Sequence, residues 1–209
     1  MRKIIGTCCV VLGALCLLAA IGVVVYNRYE AEAGAQSAQT LLQSVQTNMQ
    51  EMEREHTQPE YPQQEQPESL QPSVPQQMLT VPAGDDASIG ILSIPVLELE
   101  LPVLTDWSYV KLRKAPCHYY GSYYAPDFVI AAHNFPSHFG RLSQLQAGDL
   151  VLFTDVTGQV YGYEVILLET LPPTATEEMI TSGFDLSLYT CTPGGGSRVT
   201  VRCNTVSVE

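Results

Sequence analysis

Hydrophobic positions fall into three regimes along this chain. From Ile4 to Tyr26 no residue is charged and most are apolar, a run long enough to cross the roughly 30 Å hydrocarbon core of a bilayer. Arg2 and Lys3 precede it, which predicts a cytoplasmic amino terminus with the remainder outside. A cleaved signal peptide is the competing reading, with small residues at Ala31, Ala33 and Ala35 to mark a cleavage site. The apolar run exceeds the usual h-region of about 7–15 residues, which favours a retained anchor. Residues 1–29 are therefore read as a cytoplasmic tip and transmembrane anchor.

Beyond Glu30 the chain is rich in Ala, Gln and Glu, with Leu41, Leu42, Val45, Met49 and Met52 near helical spacing. This predicts a membrane-proximal helix to about His56, whose apolar stripe is a weak packing face. From Thr57 to Gln77, Pro59, Pro62, Pro67, Pro72 and Pro75 stand among Gln and Glu. Such a stretch cannot bury a core and reads as an extended, disordered tether. Residues 30–77 thus link the anchor to a folded domain over 78–209, a span typical of one domain.

In that domain the apolar period shortens to two. Strands are expected over Ser88–Leu97 and Leu99–Leu104, then one or two helical turns within Trp107–Lys114. Cys117–Pro126 reads as a Tyr/Gly loop, Asp127–Ala132 as a strand, and Phe139–Leu145 as a short helix. Leu150–Asp155 and Val160–Leu168 form a hairpin across Thr157-Gly158. Pro172–Gly183 is a long connection with one helical turn, followed by strands from Asp185 to Cys191 and from Arg198 onward. Seven to eight short strands with minor helices predict a mainly β fold, a small closed barrel.

The net charge of −12 argues against nucleic acid or an anionic membrane surface as the main partner. Of six cysteines, Cys8, Cys9 and Cys16 lie in the apolar run and act as small hydrophobes. Cys117, Cys191 and Cys203 form an odd set, which outside the cell leaves an unpaired thiol even if two of them bond. No zinc-finger spacing occurs. A site built from Cys117, His118, His133 and Cys191 lacks regular spacing, so no metal and no cofactor are expected.

Candidate chemistry concentrates in Leu186-Ser187-Leu188-Tyr189-Thr190-Cys191 and Ser197-Arg198-Val199-Thr200-Val201-Arg202, joined by a turn of Thr192, Pro193 and three glycines. Paired as a hairpin, these strands let a thiol and a guanidinium face one site. Alternation places Arg198, Thr200 and Arg202 on one face and Val199, Val201 and Cys203 on the other. An ordinary hairpin with a buried Cys fits the same pattern. His133 ends the apolar strand Val129-Ile130-Ala131-Ala132. At a strand end it is either a satisfied structural residue or, beside a Cys and an Arg, a proton carrier.

The order Ala131-Ala132-His133-Asn134, then Ser187-Leu188-Tyr189-Thr190-Cys191, then Ser197-Arg198-Val199-Thr200 resembles the sortases, cysteine transpeptidases of Gram-positive cell surfaces. The likeness runs from Ile89 to Val206, with Gly90-Ile91-Leu92-Ser93-Ile94-Pro95 and Phe139-Gly140-Arg141-Leu142 included. Ser187 stands where the family's motif opens on Thr. The short Gly-rich Cys191–Arg198 connection leaves the sortase class open. The resemblance implies Cys191 as nucleophile, His133 as proton carrier and Arg198 as the group holding substrate and oxyanion. Arg198 is chosen over Arg202 because it lies nearer Cys191 and matches the family position. Thr190 and Ser187 are the implied substrate contacts.

The implied partners are an LPXTG-like sorting motif of surface proteins and an amine acceptor, either a peptidoglycan precursor or a pilin lysine. The implied place is the cell membrane, with a single pass and an extracellular catalytic domain. A papain-like peptidase is a rival enzyme, but such folds put Cys before His and on a helix. A membrane-tethered, non-catalytic barrel that binds wall or protein is the rival outside enzymology.

Overall fold

A computed structural model describes residues 2–57 and 77–208. Of the Pro-rich tether expected over Thr57–Gln77, residues 58–76 lie outside the described residues. Among the described residues nine strands form one sheet: β1 (Val81–Ala83), β2 (Asp86–Ile94), β3 (Leu99–Leu104), β4 (Cys117–Tyr120), β5 (Phe128–Ala131), β6 (Leu150–Asp155), β7 (Val160–Leu171), β8 (Leu186–Cys191) and β9 (Arg198–Val206). Their order is β1-β2-β3-β4-β5-β8-β9-β7-β6, and β6 also pairs with β2. That last pairing closes β2 to β9 into an eight-stranded barrel, with β1 appended to β2.

Closure depends on a local device in β2. Register against β3 shifts between Ser88 and Gly90, and the Ser88 hydroxyl donates to the carbonyls of Gly90 and Val103. Gly90 has φ +152°, and a Cβ there would come within 2.2 Å of the Thr154 carbonyl on β6. Only glycine permits this bulge and this approach. Inside the barrel, Ile89, Leu92, Val103, Phe128, Ile130, Phe153, Val165, Leu188 and Val201 form the main core.

Three expected elements differ. The strand expected to Leu97 stops at Ile94, because Pro95 lacks an N–H and starts a 3-10 turn over Pro95–Leu97. Cys117–Tyr120, expected in a loop, is a strand made by non-local pairing, parallel to β3 at Leu104 and antiparallel to β5. The helix expected over Phe139–Leu145 is a single 3-10 turn, Leu142–Gln144.

The long helix α1 (Arg2–Thr57) runs without a break from the apolar stretch into the Ala-, Gln- and Glu-rich segment that follows it. It carries one stretch long and apolar enough to cross a membrane, with the side chains of that stretch exposed. Further along, Gly34, Ala38, Leu41 and Val45 are buried at near-heptad spacing. Leu41 and Val45 join Val81, Ala83, Ile91, Leu104, Ala115 and Cys117 in a second cluster on the outside of the sheet. Burying Leu41 or Val45 stabilises the docked helix by about 1.5–3 kcal/mol each. Asn48 Nδ2 donates to the Pro82 carbonyl at 2.7 Å, and Gln46 Nε2 to Glu100 Oε1 at 3.1 Å.

Candidate active site

Strand register brings the three sequence-predicted residues together. β5 runs parallel to β8 with Ala131 opposite Tyr189. Just past β5 the Ala132 N–H donates to the Tyr189 carbonyl at 3.2 Å, so the row continues and sets His133 beside Cys191. β8 pairs antiparallel with β9, with Cys191 directly opposite Arg198. Side chains opposite one another share a face. His133, Cys191 and Arg198 therefore stand on three adjacent chain segments at one end of the barrel.

Two loops set this alignment. Asp127 adopts φ +64°, a conformation its short polar side chain tolerates. Its Oδ1 accepts from the Ser182 N–H, the Ser182 hydroxyl and the Gly183 N–H at 2.7–3.0 Å. The start of β5 is thereby tied to the approach of β8. At the other end the Thr192 N–H donates to the Ser197 carbonyl at 3.0 Å, and the Ser197 N–H to Thr192 Oγ1 at 3.1 Å. The Gly-rich connection is thus a closed turn.

A cavity of about 270 Å³ opens beside the thiol, lined by Tyr109, Leu112, Arg113, Ala132, His133, Asn134 and Cys191. Its walls are mostly apolar side-chain carbon with His133 and Cys191 adjoining, the usual make-up of a substrate pocket. Cys191 is half-buried. Cys117 and Cys203 are free but buried, and burial pushes both thiols up to about 12. They sit in separate clusters and behave as apolar residues. Of these three, Cys191 alone borders the cavity.

His133 is half-buried and stacked on Phe135, with ring centroids 4.0 Å apart. Burial holds its imidazole below the usual value and the Arg113 guanidinium adds to that, while Glu30 and Asn134 pull the other way. Phe135 is in turn held by α1. A Cβ on Gly34 would meet the Phe135 ring at 2.7 Å, so the helix approaches this closely only because residue 34 is glycine. α1 thus buttresses the histidine's stacking partner.

Arg198 is half-buried, and its Nη1 donates to the carbonyls of Gly195 and Ser197 at 3.2 Å. It is not among the residues lining the cavity; Arg113, which sequence reasoning missed, is. Arg202 shares the face of Arg198 but is 2% exposed. Its Nε pairs with Glu169 at 2.7 Å, and its Nη groups donate to Ser187 Oγ and to the Glu178 and Met179 carbonyls. It fastens β9 to β7, to β8 and to α3 (Thr176–Ile180).

The two expected substrate contacts point elsewhere. Ser187 is fully buried and accepts from Arg202. Thr190 is 4% exposed, and its hydroxyl donates to the Ala132 carbonyl at 2.9 Å. Both hold the strands that carry the site and neither lines the cavity. Alternation carried this signal for Thr190, which lies on the face opposite Cys191. His118 directs its two ring nitrogens to the carbonyls of Thr105 and Gly121.

His138 is fully buried, and its Nε2–H donates to the Gly34 carbonyl at 3.3 Å. Burial lowers its value to about 4. Unfolded, the ring takes a proton below about 6.5; folded, it stays neutral down to about 4. Stability therefore falls as pH drops through that window, by up to about 3 kcal/mol. The expected result is that His138→Gln, which keeps a donor for Gly34 but cannot titrate, loses less stability than wild type between pH 6.5 and 4. Urea midpoints of the two chains across that range check it; parallel curves contradict it.

The sequence model of the sortase domain matches residues 92–206, more than half of the 209 residues. Among solved structures, sortase A from Corynebacterium diphtheriae aligns with a TM-score of 0.54 at 23% identity, covering 60% of this chain and 63% of that one. This chain thus spans less than two thirds of that protein's length, and the likeness is one of fold. Sortase C1 from Streptococcus agalactiae aligns at 28% identity with a TM-score of 0.52, covering 58% and 69%. Streptococcus pneumoniae sortase C, whose structure addresses catalysis and pilin substrate specificity, aligns at 27% identity with a TM-score of 0.51, covering 58% and 70%. No curated relative matches the chain.

Proposed function

The chain belongs to the sortase family, and from that membership we propose that it is a membrane-anchored cysteine transpeptidase acting on sorting motifs of surface proteins. The observation that carries this reading is the row of His133, Cys191 and Arg198 on adjacent segments, beside a cavity shared by the first two. The uncharged run of α1 holds the enzyme in the membrane, and the barrel works on the outer side.

The sulfur of Cys191, as thiolate, attacks the carbonyl carbon of the scissile peptide bond, and the carbonyl oxygen takes up the negative charge. Arg198, directly across from Cys191, supplies the cationic donor that stabilises this oxygen. The intermediate collapses to a thioester as the C–N bond breaks, and His133 gives its proton to the departing amine. An acceptor amine then attacks the thioester while neutral His133 takes its proton, and the Cys191 sulfur leaves as thiolate. The acceptor is a peptidoglycan amine or a pilin lysine; likeness to the pneumococcal sortase C supports the second.

The test presents the full chain with LPXTG-like peptides and a set of acceptor amines. Intact-mass measurement should find a hydroxylamine-labile acyl adduct on Cys191, discharged by amine into a new amide. A thiol probe should label Cys191 ahead of Cys117 and Cys203. Stoichiometric peptide binding with no adduct and no such labelling preference would mean a binding barrel instead.

A further inference from the structure

Tyr26 closes the uncharged run of α1, and its hydroxyl donates to Glu30 Oε1 at 2.9 Å. The same carboxylate oxygen pairs with Arg113 Nη1 at 3.1 Å, and Arg113 lines the cavity with His133 and Cys191. A single carboxylate therefore separates the edge of the apolar run from the wall of the active site. Because α1 is unbroken, height above that edge follows from helical rise. Glu30 lies about 6 Å beyond Tyr26 along the axis, and Gly34, against Phe135, about 12 Å. The headgroup layer on each side of a bilayer is about 5–7 Å deep. With α1 along the bilayer normal, the pair of Glu30 and Arg113 puts the cavity wall at that level.

The segment leading into Arg113 is α2 (Tyr109–Leu112), and it presents large apolar groups to the outside. Tyr109 is 80% exposed, Val110 68% and the preceding Trp107 42%. Trp107 and Tyr109 meet edge to face at 5.9 Å, and Trp107 also packs on Tyr119. Trp and Tyr partition to the bilayer interface, where the ring is shielded and the polar edge stays wet. The cations here are already paired: Lys111 with Asp86 and Asp106, Lys114 with Asp86, and Arg113 with Glu30. The patch is thus apolar and not basic, in keeping with a chain of net charge −12.

We propose that the Trp107–Val110 face rests in the headgroup layer of the bilayer that holds α1, so that the catalytic cavity opens at the membrane surface. This rests on the anchored reading above. The docked face lets the enzyme take peptide and amine as they lie along the membrane. Ring insertion, not charge, holds the contact, so it is insensitive to salt.

Trp107 is the only tryptophan in the chain, so its emission reports this face alone. The experiment reconstitutes the full chain in phosphatidylcholine vesicles, with ordinary lipid or lipid brominated near the glycerol, and adds iodide as the aqueous quencher. The expected result is severalfold quenching by the shallow bromines, weaker quenching by bromines at the chain ends, and poor access for iodide at low and high salt. Val110→Asp should reverse both effects while the protein still floats with the vesicles. A chain that floats but leaves Trp107 open to iodide and indifferent to bromine overturns the docked face and leaves anchoring intact. A chain that alkaline carbonate strips from the vesicles overturns anchoring, and the docked face with it.

Discussion

On the proposed reading, replacing Cys191 with alanine should abolish transpeptidation, leaving no acyl adduct and no amide product. The other thiols cannot substitute. Cys117 and Cys203 are fully buried in separate apolar clusters, with their thiols pushed up to about 12. Neither offers a thiolate to a peptide carbonyl. His133→Ala is milder: loss of a positioned proton carrier lowers the rate by about 10²–10⁴. The imidazole's depressed value adds a feature to the profile. Its protonated form becomes scarce as pH rises through that lowered value, so the acid-requiring step slows at a lower pH than an unperturbed histidine would give. Single-turnover acylation of a fluorogenic sorting peptide, followed against pH, separates the variants. Residual adduct formation by Cys191→Ala would remove the nucleophile assignment and the enzyme reading with it.

The site was more legible in the sequence than the elements supporting it. Cys191 and Arg198 flank one tight turn, so alternation and the glycines of the hairpin were enough to pair them. His133 joins them through a parallel pairing of β5 with β8, which no local pattern encodes; there, resemblance to sortases supplied the link. β4 was hidden because Cys117-His118-Tyr119-Tyr120 has no clean alternation and becomes a strand only between β3 and β5. The change of composition after Tyr26 marks off the expected anchor from the expected membrane-proximal helix, yet the two are one helix, because nothing there stops it. Nothing in the sequence around Gly34 marks a role for it. Its use, admitting Phe135 against the helix, depends on a loop about a hundred residues away.

The two arginines of β9 should separate stability from chemistry. Arg202→Ala removes a guanidinium that is 2% exposed and bonded to Glu169, Ser187 and two carbonyls of α3. The remaining groups lose a charged partner inside the fold, a change that costs about 3–5 kcal/mol. The urea midpoint should fall steeply, and activity should fall with the folded fraction. Arg202→Lys should recover little, because one ammonium cannot reach partners that a planar fork holds in several directions. Arg198→Ala should do the opposite. Its described contacts are two bonds from Nη1 to carbonyls of its own turn, so stability should change by no more than about 0.5–1 kcal/mol. Turnover should drop by about 10²–10³ if the guanidinium meets the oxyanion, with Arg198→Lys intermediate. Midpoints and turnover measured on these four variants and on Arg113→Gln decide the matter. Should Arg198→Ala retain full turnover while Arg113→Gln loses it, the oxyanion cation is the one lining the cavity, and Arg198 only closes the β8–β9 turn.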